Sequence, residues 1–166
     1  QHEGQIPNYY NYKRSGRPGD MEHSSTVRHI DLKNANLFPF GFGLSYTTYK
    51  YDAPKCAPTF DSKGNLKVKV RVTNTGDVDG EEIVQLYVAD KVASMVRPMK
   101  ELKAFKKVFI AKKQSVEVEL DVNAKDLGFY TNDMKYVVES GEFTIMTGPN
   151  SEDLQTCSVR LNKAIE

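Results

Sequence analysis

Apolar and polar residues alternate along most of the chain, with the period of a β-strand. The run LKVKVRVTN sets Leu66, Val68, Val70 and Val72 on one face and Lys67, Lys69 and Arg71 on the other. Such a run marks a half-buried antiparallel strand. IVQLYVAD turns Val84, Leu86 and Val88 inward and sets Ile83, Gln85 and Tyr87 on the opposite face. LKAFKKVFI and SVEVELDV repeat the pattern, the second through Val116, Val118, Leu120 and Val122. KYVVESGEFTIMTG reads as strand, Ser-Gly turn and strand, and LQTCSVRLN as a last strand with Cys157, Val159 and Leu161 inward. TTYKYDA supplies a first strand. NAKDLGFY has an N-cap in Asn123 but room for only one or two helical turns.

Seven or eight short strands at regular spacing predict an all-β chain. The expected architecture is an antiparallel β-sandwich of immunoglobulin-like or fibronectin type III-like topology, with an all-β barrel as the alternative. The alternation begins only near Ser45. Residues 1–44 show no sustained period, are rich in Asn, Gly, Pro and Ser, and contain all three histidines. A stretch this long without its own elements is uncommon in a compact domain unless it is functional or a linker. The expected organisation is therefore an irregular segment, 1–44, followed by a sandwich, 45–166. Within the first part, GQIPNYY fits a short strand, which Pro7 confines to an edge or to the strand's start. LFPFGFGLSY, at 37–46, is dense in aromatic residues, and its glycines make it a poor helix or strand.

Composition narrows the partners more than the chemistry. A net charge of +1 gives no electrostatic reason to expect nucleic acid or an anionic membrane. No apolar run approaches the roughly 20 residues that span a bilayer. The opening QHEGQIPNYY lacks an initiator methionine and a basic-then-apolar leader, as expected of an internal piece of a longer protein. Cys56 and Cys157 are the two cysteines. On neighbouring strands they could form one disulfide. Two cysteines make no framework, however, and the plainer reading is two separate, part-buried thiols.

No catalytic constellation emerges. His2, His23 and His29 share no metal-ligand spacing, HEGQI is not H-E-x-x-H, and DVDGEE does not meet the order of a calcium loop. There is no G-x-S-x-G, and neither cysteine has a neighbouring histidine in sequence. Carboxylates are plentiful, but they sit in turns and on outward strand faces, where nothing is expected to raise one pKa for acid catalysis. We therefore expect no catalytic residue, no metal and no cofactor. Tyr9, Tyr10 and Tyr12 could stack on a sugar ring, or pack at an interface.

At LFPFGFGLSYTTYKY the chain resembles the segment entering the C-terminal domain of glycoside hydrolase family 3 β-glucosidases. VTNTGDVDGEEIVQLYV, ASMVRPMKELKAFKKVFI and DLGFYTNDMKYVVESGEFTIMTG resemble successive strands and loops of that domain. GQIPNYYNYKRSGRPGD is similar to a segment of periplasmic-type bacterial members, with Tyr12 where those often carry His. The resemblance implies a fibronectin type III-like sandwich, and a parent whose nucleophile motif, Ser-Asp-Trp, has no counterpart in a chain without tryptophan. It implies a non-catalytic fragment of a periplasmic or secreted, retaining β-glucosidase. Phe38, Phe40, Phe42, Tyr46, Arg97 and Pro98 are then expected at an interface with the parent's catalytic and α/β domains. Arg14 and Arg17, with the three tyrosines, are expected near sugar. Two further expectations are a carbohydrate-binding module acting on its own on β-glucoside oligosaccharides, and a homodimer formed through the N-terminal segment.

Overall fold

The structure, a computed structural model, describes residues 9–13, 36–61 and 64–164. The elements in chain order are β1 (Tyr49–Tyr51), β2 (Lys55–Cys56), β3 (Thr59–Phe60), β4 (Asn65–Asn74), β5 (Gly80–Asp90), β6 (Glu101–Ile110), β7 (Ser115–Asn123), a 3-10 turn (Ala124–Leu127), β8 (Phe129–Tyr130), β9 (Tyr136–Val137), β10 (Gly141–Gly148) and β11 (Gln155–Leu161). The fold is the expected β-sandwich, antiparallel except where β3 runs parallel to β11.

One sheet is built on β4. Strand β7 pairs antiparallel along almost its whole length, while β1 and β2 pair with it at Val72–Asn74 and Val68–Lys69. The other sheet runs β3-β11-β10-β5-β6. The chain changes sheet between Cys56 and Thr59, since β2 joins the first and β3 the second. Strands β8 and β9 form a separate small ladder.

The alternation foreseen in the sequence makes the core. Leu66, Val68, Val70 and Val72 from β4, with Val118, Leu120 and Val122 from β7, meet Val84, Leu86 and Val88 of β5. Phe143 and Ile145 of β10, and Val159 and Leu161 of β11, complete that layer. Each such side chain contributes roughly 1.5–3 kcal/mol when fully buried.

The polar turns are held by specific partners. Asn74 is fully buried at the end of β4. It donates to the carbonyls of Val78 (2.8 Å) and Ile110 (3.0 Å) and accepts from Gly76 N–H (3.1 Å) and the Thr47 hydroxyl (2.6 Å). In the acidic turn that follows, Asp79 accepts from the Lys112 amide and Asp77 pairs with Lys113. Asn123 caps the 3-10 turn, its side chain accepting from Lys125 N–H at 2.9 Å.

Candidate docking surface

The aromatic segment before β1 turns sharply and lies against the five-stranded sheet. Phe42 N–H donates to the Pro39 carbonyl at 3.0 Å, closing a four-residue turn. Gly41 occupies its third position with φ of +80°, the conformation a type II turn requires there. Gly41 is also the point of closest approach: a Cβ there would sit 2.1 Å from Gln85 Oε1. The turn is tied down twice more. Gln85 Nε2 donates to the Gly41 carbonyl at 3.0 Å, and Ser151 N–H donates to the Phe40 carbonyl at 2.9 Å.

Beneath this turn lies a buried polar-aromatic seam. Gln85 also donates to the Pro149 carbonyl and accepts from the Tyr87 hydroxyl, both at 2.5 Å. Burial pushes the Tyr87 hydroxyl pKa up, and the nearby Tyr10 adds to it. The Tyr10 ring stacks on Phe40 (4.2 Å between centroids, 17° between planes) and meets Tyr87 edge-on at 5.8 Å. Residues 9–13 are anchored by Leu102 N–H donating to the Tyr10 hydroxyl (3.2 Å), Met99 N–H donating to the Tyr12 carbonyl (2.8 Å) and a bridge between Lys13 and Pro98.

Above the seam the surface stays apolar. Phe38, 67% exposed, tilts against Phe42 at 5.3 Å, and Leu37, Leu44 and Tyr46 are exposed beside them. On the same outer face of the sheet, Phe105 stands opposite Gln85 across the β5–β6 ladder and is 68% exposed. Ile83 and Phe109 extend the strip, with a Lys107–Glu81 ion pair between strands at 2.5 Å. Exposed apolar side chains of this size are the material of which interaction sites are made where they are contiguous. A groove of about 600 Å³ runs along its edge, lined by Tyr9, Tyr10, Asn11, Asn36, Leu37, Phe38 and Phe40.

The sequence candidates separate in this setting. Tyr10 and Phe40 stack over the buried Gln85 and Tyr87, with Phe40 still 47% exposed, while Tyr9, Tyr12, Phe38, Phe42 and Tyr46 are exposed without that stack. Arg97 faces its own domain: it donates to Glu101 at 2.8 Å and its guanidinium lies 4.8 Å from the Phe129 ring centre. A second cleft, of about 710 Å³, is bounded by Asp90, Met95, Arg97, Pro98 and Thr144 among others. Arg14, Arg17, the three histidines and most of GQIPNYY lie outside the described residues. Sequence alternation placed Gln85 and Tyr87 away from the core without showing that they are buried, and it did not single out Phe105 and Phe109. The signal was present in Val84–Val88, an uninterrupted run without charge that reads as a strand covered on both faces.

Two carboxyls depart from the expectation that none is raised. Burial pushes both Glu82 and Asp90 up; Glu82 accepts from the Tyr51 hydroxyl at 2.7 Å, and Asp90 accepts from Val92 N–H at 3.2 Å. They sit eight residues apart on β5 (90 − 82), about 26 Å at strand rise. Paired-carboxylate hydrolysis needs about 5–9.5 Å, so the two cannot act on one glycosidic bond. Among the described residues no group of three or more His, Cys, Asp and Glu is placed to hold a metal ion. The cysteines also differ from the plainer expectation. They are free thiols, but Cys56 and Cys157 touch, with sulfurs 2.8 Å apart.

Residues 82–151 match the fibronectin type III-like domain family. The chain is 38% identical over 161 residues to a periplasmic β-glucosidase of Salmonella typhimurium, covering 95% of this chain and 21% of that protein. It is 46% identical over 126 residues to a β-xylosidase of Formosa agariphila, covering 74% of this chain and 17% of that protein. Among solved structures, a β-glucosidase of Listeria innocua in complex with glucose superposes with a TM-score of 0.87 at 32% identity, over 96% of this chain and 23% of that one. The chain thus spans about a fifth of the length of the curated relatives it matches. It carries a fibronectin type III-like domain and is similar, over nearly its whole length, to the C-terminal region of glycoside hydrolase family 3 β-glucosidases.

Proposed function

We propose that the chain is a non-catalytic packing module of a longer, periplasmic or secreted β-glucosidase. Residues 1–44 would serve as the end of the preceding domain and the linker, and 45–166 as the module itself. The observation that carries this reading is the exposed apolar strip around Phe38, Phe42 and Phe105, beside a seam that already fixes the incoming chain on β5. Relatives several times longer supply the kind of neighbour such a strip needs. Arg97 and Pro98 contribute by holding the loop against residues 9–13.

The test uses the protein in which this chain follows a catalytic part. Phe38→Asp with Phe42→Asp is expected to lower its melting temperature and to speed limited proteolysis between the two parts. Unchanged stability and cleavage would refute the docking role. The chain alone is expected to turn over no p-nitrophenyl β-glucoside, and turnover by the purified chain would overturn its non-catalytic assignment.

A second reading, sugar binding by the chain itself, is favoured by the groove between Tyr9 and Phe38, where aromatic faces stand beside Asn11 and Asn36. Titration with cello-oligosaccharides, followed by tyrosine fluorescence, separates the readings: saturable binding lost in Tyr9→Ala supports the second. Self-association through the same apolar surface predicts a dimer by light scattering, abolished by the Phe38→Asp, Phe42→Asp pair.

A further inference from the structure

Cys56 ends β2 in the sheet built on β4, and Cys157 lies within β11 in the opposite sheet. Both are half-buried and pack against the core between the sheets. Their sulfurs approach to 2.8 Å across 101 residues of sequence. Each is held there by a ladder, Cys56 opposite Val68 on β4 and Cys157 opposite Ile145 on β10. The contact lies where the chain leaves the first sheet for the second, between β2 and β3.

We propose that Cys56 and Cys157 are a disulfide site, joining the two sheets where the chain crosses between them. A bond of about 2.05 Å requires the sulfurs to close by less than ~1 Å, within the reach of small side-chain rotations. Metal binding is the poorer use of the pair, because two thiolates leave a tetrahedral site half-filled. Among the described residues no third His, Cys, Asp or Glu completes a cluster with them.

The chemistry is thiol–disulfide exchange with a donor disulfide, such as glutathione disulfide or that of a dithiol oxidase. One cysteine thiolate attacks the donor, expelling a donor thiolate and leaving a mixed disulfide. The second cysteine thiolate attacks the protein sulfur of that mixed disulfide. The Cys56–Cys157 bond forms and the second donor thiolate departs. Two electrons pass to the donor, and the two thiol protons end on its released thiolates or in solvent. Burial, then the hydrogen bond with Cys56, pushes the Cys157 thiol up to about 12, so closure is expected to quicken as pH rises.

The oxidising compartment belongs to the reading above, whereas the site does not depend on it, so the test is made in vitro. The full chain is equilibrated with oxidised and reduced glutathione near pH 8, quenched with iodoacetamide and digested without reduction. The expected product is a linked pair of peptides containing Cys56 and Cys157, two hydrogens lighter than their sum and lost on treatment with dithiothreitol. The oxidised chain is expected to melt about 5–15 °C above the reduced one, as a cross-link closing a loop of this length should produce. Cys157→Ser should abolish that shift; the oxidised–reduced difference of the unsubstituted chain is decisive even if the variant fails to fold. Two alkylated cysteines, two separate glutathione adducts or an intermolecular bond would overturn the proposal. Linkage in the redox buffer with free thiols in the protein's own compartment would uphold the site and overturn the location.

Discussion

On the outer face of β4 and β7, Lys67, Lys69 and Arg71 stand against Glu117, Glu119 and Asp121 and stay in water. On the outer face of β5, Gln85 and Tyr87 occupy equivalent alternate positions and are almost wholly buried. The strands obey one rule on their inner faces and differ in what covers the other side. Exposed ion pairs offset their attraction with side-chain entropy and screening, so the charged face is a solvated boundary. The β5 face is a second, smaller core built from the incoming chain, and its polar atoms are stabilised only by complete pairing. A sheet face in water can end a molecule; one partly covered by an aromatic segment with exposed rings above it is the face on which the proposed docking rests.

The largest predicted contrast comes from truncating one residue on each face. Tyr87→Ala removes a buried ring and the donor to Gln85 and is expected to cost about 3–5 kcal/mol in denaturant titration. Arg71→Ala, on the solvated face, is expected to fall within about 0.5 kcal/mol of the unsubstituted chain. Equal costs would erase the distinction between the faces.

Next in size is the turn that covers β5. Gly41→Ala places a side chain at φ of +80° and drives its Cβ into a Gln85 amide whose hydrogen bonds leave it little room to yield. The expected loss is about 1–3 kcal/mol. Gly43 is the internal control, since a Cβ there would meet nothing within 4 Å, and Gly43→Ala should be neutral or slightly stabilising. A smaller effect is expected from Tyr10→Phe, which keeps the ring stack but deletes the acceptor for Leu102 N–H, at about 0.5–1.5 kcal/mol. Amide exchange should quicken at Leu102 and not at Met99, whose partner is the Tyr12 carbonyl. Quickening at both would mean that the whole segment had lifted.

The contrast between the faces also explains what could be read from the chain in advance. LKVKVRVTN announces both its faces, because charge on alternate residues requires water on one side, and β4 follows it residue for residue. IVQLYVAD announces only the inner face. The uncharged run Val84–Val88 hints that its outer face is covered as well, but it does not say by what: the roof is made by residues more than forty positions earlier in the chain. That roof depends on long-range contacts: Gly41 to Gln85, Tyr10 to Leu102, Phe40 to Ser151. LFPFGFGLSY is dense in aromatic residues, but only the fold shows that Phe40 stacks on Tyr10 and remains 47% exposed, while Phe38 and Tyr46 stand freer still. The cysteines are a similar case: the strand pattern turned Cys157 inward, but their meeting depends on the chain changing sheets at Ala57 and Pro58.

The smallest effect sharpens the comparison from the solvated side. The hydrogen bond from Lys67, at 2.5 Å, and then its charge, hold the Glu119 carboxyl below the usual carboxylate range. The same bond, and then the Glu119 charge, raise the Lys67 ammonium. A carboxyl depressed in the folded state contributes stability above its unfolded value near 4.3, and that contribution is lost as pH falls through the folded pKa. A raised ammonium contributes below about 10.4, and its share is lost as pH rises through its own folded pKa. The pair's full contribution therefore lies between these limits, and Glu119→Gln should remove both flanks at once. In melting curves the variant is expected within about 2 °C of the unsubstituted chain at pH 7, with the difference closing towards pH 2.5 and in high salt. A difference that survives at pH 2.5 would show that Glu119 acts through packing, giving this face the character of the one across the sandwich.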